Sequence, residues 1–457
     1  MRIKKRNTKR LTPILLSILL LASVLTGCGG GTSSNQNQQQ DSAAPDDGQS
    51  AQSTQDQAPE TAVNPTASEP ITLTFIRAGT DELTRAVYLE LIKKYQTENP
   101  HITIDYQEYN FGDELETKMN TLYASGSAPD IVRAPISTLA KRAEMGQYAS
   151  LDNYIDAWDE KDKVIPNAYD VGSYKGHRYG IAINIEARFL LYRKDHFIEA
   201  GLDPAEPPET WEELYEYAEK LTVREGSNVV RAGFSIPITP GHTVILPFAR
   251  MNGGQVVDVE NNAAVFNEPA TVEALEYLSQ FNRNGLLIPF IDSKDQNPFE
   301  LGNASITIHS LPFYNSIIAS GVDWADQLMF APMPGRQSRS AFGGCQIMFI
   351  SEESKYKDEA FDFLKFLFTD ESVLKLMTET GASPVKAGLA DTFLELYPDI
   401  GPTYMDAMTI CDGMPKVEWA ALFEKYINMA YEEAMYGQKD AQTALNDALQ
   451  LLEAELQ

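Results

Sequence analysis

"ITLTFIRAGTDELTRAVYLELIKKYQTENPHITIDYQEY" (Ile71–Tyr109) changes pattern twice, and those changes set the fold class. "ITLTFI" reads as a strand, "DELTRAVYLELIKKYQTENP" as an amphipathic helix stopped by Asn99-Pro100, and "ITIDYQEY" as a second strand. "GDELETKMNTLYASGSAPD" (Gly112–Asp130) continues as a helix ending in turn residues, and "IVRAP" (Ile131–Pro135) as a short buried strand. Strand, helix, strand, helix, strand predicts an α/β fold in which helices cover a mostly parallel sheet.

This pattern opens a body of roughly 390 residues, more than one hydrophobic core usually serves, so two lobes are expected. The last hundred residues turn helical: "DEAFDFLKFLFTDESVLKLMTET", "ALFEKYINMAYEEAMYG" and "DAQTALNDALQLLEAEL" carry apolar residues three and four apart. No repeat at solenoid spacing interrupts them.

Upstream the composition changes. "MRIKKRNTKR" carries six basic residues, and "LTPILLSILLLASVL" is apolar but shorter than the ~20 residues of a membrane-spanning helix. A basic head, a short apolar stretch and small residues describe a secretory signal over residues 1–27; the alternative is an uncleaved anchor helix. Leu25-Thr26-Gly27-Cys28 resembles a bacterial lipobox, which implies that Cys28 carries lipid and tethers the chain to the outer face of the cell membrane. Residues 29–70 contain no Lys, Arg, Phe, Tyr or Trp and cannot bury enough apolar surface to fold. As a flexible linker they reach about 35 Å.

Loss of the leader would take the net charge from −28 to −34. So acidic a surface argues against a nucleic-acid partner, which requires a basic face. The two remaining thiols, Cys345 and Cys411, are expected to be separate and mostly buried.

Several ordered segments then resemble one family. "GSAPDIV" (Gly126–Val132), "GQYASLDNYI" (Gly146–Ile155), "YGIAINIEARFLLYRKDHFIEAGLDPAEPPETWEEL" (Tyr179–Leu214), "ARMNGGQVVD" (Ala249–Asp258), "NEPATVEALEYL" (Asn267–Leu278), "LGNASITIHS" (Leu301–Ser310) and "AFGGCQIMFISEESKYKDEAFDFLKFL" (Ala341–Leu367) follow in the order seen in solute-binding lipoproteins of carbohydrate ABC importers. The resemblance implies a two-lobe periplasmic-binding-protein fold, each lobe a mostly parallel sheet flanked by helices, with a helical C-terminal region. On that likeness residues 71–183 plus 311–341 form lobe 1, and 186–308 plus 343–457 form lobe 2. It also implies a monomer that closes on a small carbohydrate and delivers it to membrane permease subunits, without a cofactor or metal.

A sugar site needs carboxylates, amides and arginines for hydroxyls, and aromatic rings for the C–H faces. By resemblance Glu186, just past the crossing strand, is a ligand-binding glutamate; read from the residue alone, a hinge carboxylate serves as well. Asn184 shares its face. Arg77, Arg133 and Arg188 stand after predicted strands, and their planar forks suit a carboxylate, so an acidic sugar such as a uronate oligomer is one candidate solute. Each is equally readable as a salt-bridging surface arginine. His309, Phe313 and Tyr314 replace the amide and tryptophans that the family carries there. Gly344 would let backbone approach a ligand, and Trp419 lies in a region that often reaches the cleft in the family. "TPGH" (Thr239–His242) is a further loop candidate or an ordinary turn; Trp158, Trp211 and Trp324 read as packing residues.

Two other functions stay open. An exported glycosidase needs two carboxylates at a controlled separation, which 65 acidic residues cannot exclude by count, although no segment shows the pattern. A sugar sensor serving a membrane receptor would use the same fold. There is no His-x-x-x-His or Cys-x-x-Cys pair, no Gly-x-Ser-x-Gly elbow and no P-loop.

Overall fold

In a computed structural model the chain is described over residues 69–457, apart from residues 259–260 and 293–294. The signal, the lipobox with Cys28 and the linker lie outside the described residues. Strand β1 (Ile71–Ala78) pairs in parallel with β2 (Ile102–Tyr109) along its whole length, and with β3 (Ile131–Pro135) at Phe75–Arg77. Helix α1 (Glu82–Glu98) links β1 to β2 and buries Val87, Tyr88, Leu91, Ile92 and Tyr95. Its ends are explicit. The Asp81 side chain accepts from the Thr84 N–H, and Asn99 closes the last turn with both its N–H and its amide on the Tyr95 carbonyl. Helix α2 (Asp113–Ala124) then leads to β3.

Two long strands join this half to the next. The crossing strand, Gly180–Arg193, runs antiparallel to the return strand, Ala341–Ile350, from Gly180↔Phe349 to Ala187↔Gly343. From Arg188 onward it pairs instead with Ala304–Ser310, and Leu190–Arg193 pair also with Leu328–Ala331. One strand therefore serves both halves, and its partner changes between Ala187 and Arg188. The second half adds Asn228–Ser235, parallel to Ala304–Ser310. The strands beyond the connecting ones are thus parallel as expected, save the short edge strand Val223–Glu225, antiparallel to Asn228–Ser235, and the connecting strands run against them, which makes the sheet mixed.

The packing departs from the expected division of segments. Helices Lys357–Leu367 and Asp370–Thr380 lie on the first half: the Phe363 ring is 5.9 Å from Phe75 and 4.9 Å from Tyr95, and Lys375 pairs with Glu90 at 2.7 Å. The return strand delivers the chain beside β3 (Ile350↔Ile131), so the helices after it cover the sheet it has just joined. Residues 328–331 belong by pairing to the second half, where Trp324 packs edge-on to Phe299. The last two helices, Ala420–Met435 and Ala441–Leu456, do sit in the second half, against Pro269–Arg283, where Asn282 donates to the Met435 carbonyl at 2.8 Å.

Trp211 is fully buried at the start of a helix whose Thr210–Glu213 capping box is complete. Cys345 is buried, Cys411 half-buried, and both are free thiols. Burial pushes Cys345 up to about 12 and Cys411 up to about 11, so neither is a reactive thiolate.

Candidate functional site

The loops at the ends of β1, β2 and β3 meet the two long strands around a cavity of about 700 Å³. Its wall takes Asp81, Thr84 and Tyr88 from the β1–α1 corner, Phe111 after β2, and Arg133 in β3. Asn184 and Glu186 come from the crossing strand, Gln346 from the return strand, and Pro312 and Asn315 from the helix Leu311–Ser320. Alternation explains the long-strand contribution. Asn184 and Glu186 are two apart and point one way, while Ile185 lines a different cavity on the opposite face. Gln346 is the cross-strand partner of Asn184, and Gly344 that of Glu186. The bare Gly344 matters: a Cβ there would stand 3.3 Å from Glu186 Oε2, so its absence leaves room for the carboxylate over the return strand.

Three buried polar atoms of this wall have no hydrogen-bond partner: Tyr88 Oη, Arg133 Nε and Gln346 Oε1. Leaving such a group unpaired costs about 1–3 kcal/mol, so three of them around one cavity are a polar surface awaiting a polar guest. The cavity on the opposite face is larger, about 970 Å³, but its cations are engaged. Arg250 donates to the Asp412 and Gly413 carbonyls at 2.8 and 2.7 Å, and Lys416 to those of Asp170 and Ser173 at 2.5 and 3.1 Å. Unused hydrogen-bonding capacity, not volume, singles out the smaller cavity.

The predicted residues fare differently. Arg77 is consumed by structure: 1% exposed, it donates to Glu108 at 2.8 Å and pairs with Asp81 at 2.9 Å. Burial opposes its charge, but hydrogen bonds to Asp81 and Glu108 hold it above its ordinary value. Glu108 is likewise desolvated, yet hydrogen bonds from Tyr106, Arg85 and Arg77 keep its carboxyl below the usual range. Arg133 divides its guanidinium, giving Nη1 to the Ala78 carbonyl at 3.1 Å, lying over the Tyr88 ring and keeping Nε unpaired. The Asn184 carbonyl oxygen is taken by Ser383, from its N–H at 2.9 Å and its hydroxyl at 3.2 Å. Trp419 is buried against Phe423, with its indole N–H on Asn262 at 3.0 Å, and lines neither cavity. Tyr314 packs toward Phe330 rather than the cavity.

Arg188 and His309 form a second group beside the first. The guanidinium lies 5.8 Å from the Phe342 ring, and Phe342 meets the His242 ring edge-on at 5.6 Å. His242 and its N–H are held by the Asn428 side chain at 3.2 and 2.7 Å, and Glu424 is 3.7 Å away. The "TPGH" loop therefore reaches this cluster. His309 stacks on Phe313 at 3.6 Å and accepts the Ser310 N–H on Nδ1 at 3.1 Å, which leaves Nε2 as the protonated nitrogen. Burial, then the nearby Arg188 charge, lowers His309 well below its usual value. Burial lowers His242 to about 4 and, with Asp113, raises Glu424.

Tyr88, Phe111 and Gln346 were not anticipated. Gln346 is legible in hindsight as the residue two beyond Gly344 on the same strand face. Phe111, 54% exposed, follows a predicted strand as the arginines do. Tyr88 reads as helix core, where it is indeed buried, and gives no signal. Among the described residues no group of three His, Cys, Asp or Glu side chains is placed to hold a metal ion, and no helix is long and apolar enough to cross a membrane.

A cavity walled by strand-end loops beside two connecting strands, with a few polar side chains set in a largely apolar wall, is the arrangement of a solute-binding protein. Residues 90–400 match the bacterial extracellular solute-binding protein family, and the chain belongs to it. It is similar to the maltotriose-binding protein of Pyrococcus abyssi, 26% identical over 307 residues, 65% of this chain and 63% of that one. It is also similar to the sn-glycerol-3-phosphate-binding periplasmic protein of Salmonella paratyphi A, 26% identical over 312 residues, 65% of this chain and 70% of that one. Among solved structures, the Listeria monocytogenes ABC substrate-binding protein in complex with cycloalternan superposes with a TM-score of 0.73 at 22% identity, covering 85% of this chain and 99% of that one. At that identity the match shows the two-lobe fold.

Proposed function

We propose that this chain is the solute-binding component of a carbohydrate ABC importer. It captures its solute by lobe closure, hands it to membrane permease subunits and performs no catalysis. The observation that carries the reading is the cavity with Glu186 and three unpartnered polar atoms on its wall. Hydroxyls both donate and accept, so they complete Tyr88, Arg133 and Gln346 together, while the exposed Phe111 ring offers a face for sugar C–H groups. The family and the maltotriose-binding relative support this class. The packing supports a division revised from the expected one, with residues 71–183 and the helices after the return strand in one lobe and 189–341 with the last two helices in the other. The cell-surface setting follows from the lipobox reading: a monomer tethered through Cys28 on a flexible leash.

A thermal-shift screen of the purified protein against oligosaccharides tests this. A ligand bound only by the folded state adds RT ln(1 + [L]/Kd), about 2.7 kcal/mol at a hundredfold excess over Kd, so a true solute raises Tm by several degrees. The shift falls by about half or more in Glu186→Gln. A solute that raises Tm equally in that variant and in wild type overturns the assignment of this cavity; turnover of a glycoside overturns the binding role.

A further inference from the structure

Arg188 differs from every other arginine among the described residues. Arg77, Arg85, Arg142, Arg178, Arg193, Arg231, Arg250, Arg283, Arg336 and Arg339 are ion-paired, and Arg133 and Arg224 donate to backbone carbonyls. Arg188 makes no hydrogen bond and no ion pair with a described residue, although it is enclosed enough for burial to lower its pKa. Glu186 and Asp292 act on it through space, but neither approaches to ion-pair distance. They favour its charge without occupying its donors. A half-buried guanidinium whose donors no protein group takes has its full hydrogen-bonding capacity left for an anion.

Its surroundings are built rather than incidental. The chain places Arg188 where the crossing strand changes partners, paired on one side only with Ser310, whereas Leu190 is paired on both sides, with Ile308 and Ala331. Phe342 lies against the guanidinium and limits its orientation. Its free donors suit a planar carboxylate better than a lone hydroxyl, because charge-assisted pairs on a guanidinium are roughly twice as strong as neutral ones.

We propose that Arg188, two residues beyond Glu186 on the same strand face, is an anion subsite of the solute cleft, and that the solute is a sugar carrying one anionic oxygen group. Glu186 and Asp292 in the same field disfavour a dianion more than a monoanion, so a uronate carboxylate fits before a phosphate ester. This rests on the reading of the cleft as a carbohydrate site and names its substrate class.

The test is isothermal calorimetry of wild-type protein, Arg188→Gln and Arg188→Lys. The probes are matched pairs of oligosaccharides, neutral and oxidised to the uronate at one sugar, with a sugar phosphate as a third arm. The expected result is binding of the uronate over its neutral partner by wild type. That preference falls about 30-fold or more in Arg188→Gln and is partly restored in Arg188→Lys, with Tm in the absence of ligand unchanged. A preference for the phosphate, lost in the same variant, keeps the anion subsite and transfers it to a phosphorylated sugar. Equal or tighter binding of the neutral sugar, undiminished in Arg188→Gln, overturns the subsite and leaves the carbohydrate cleft standing. No binding of any sugar overturns the cleft reading and the subsite with it.

Discussion

Two arginines of one sheet show what separates a structural charge from a recognition charge. Arg77 at the end of β1 and Arg188 on the crossing strand are the same residue type, both with carboxylates nearby, the first fully buried and the second half-buried. Around Arg77 the carboxylates of Glu108 and Asp81 close onto the guanidinium, and Arg85 takes the other side of Glu108. Around Arg188 the carboxylates stand off and aromatic rings approach instead. A closed network can only hold the protein together; an open one has capacity left for a partner.

The largest expected effect breaks the closed network. Arg77→Leu strands the buried Glu108 and lowers unfolding free energy by about 3–5 kcal/mol, measured by chemical denaturation, while solute affinity per folded molecule stays near wild type. Arg188→Leu reverses both outcomes: stability without ligand is held or raised, and affinity is lost. If Arg188→Leu destabilises as severely as Arg77→Leu, the contrast between the two regions fails.

Acidity separates the regions by sign and window. His242 beside the cleft and His196 in the second half are both lowered to about 4, chiefly by burial. The unfolded chain then binds more protons, so stability falls as pH drops from about 6.5 toward 4, by on the order of 2–3 kcal/mol per group. In His242→Gln that part of the Tm-against-pH slope flattens. Asp81 and Glu108 are also lowered, so their contribution is complete above the ordinary carboxylate range and disappears as pH falls below about 4. Only this lower step should shrink in Arg77→Leu, without vanishing, because Thr84 still acts on Asp81 and Tyr106 and Arg85 on Glu108.

Smaller changes test the open wall directly. Glu186→Gln removes a charge-assisted acceptor and should cost about 1.5–3 kcal/mol of solute binding in calorimetry, with little change in Tm. Gly344→Ala is the mildest: its Cβ meets Glu186 Oε2 at 3.3 Å, so the carboxylate must shift by a few tenths of an ångström. A few-fold loss of affinity with unchanged stability is expected. A full Tm shift in Gly344→Ala would assign the contact to the strand pair rather than to the site.

The first half of the fold was legible because its information is local. Threonines and apolar residues at strand spacing, an Asp81 cap and an Asn99-Pro100 stop act within a few residues of themselves, and β2 and β3 appear where the pattern places them. That Asn184 shares a face with Glu186 was legible for a related reason, period-two alternation along an extended strand. The helices after the return strand were assigned to the wrong half because amphipathicity says that a face is buried, not against what. Arg77, Arg133 and Arg188 were indistinguishable as letters; whether a guanidinium is spent depends on carboxylates and carbonyls that arrive from elsewhere, such as Glu108, 31 residues from Arg77. The sequence by itself determined the element types, the acidic surface and the family. Tertiary structure alone decided which polar groups had bonds left to make, because that remainder is set by contacts between residues far apart in the chain.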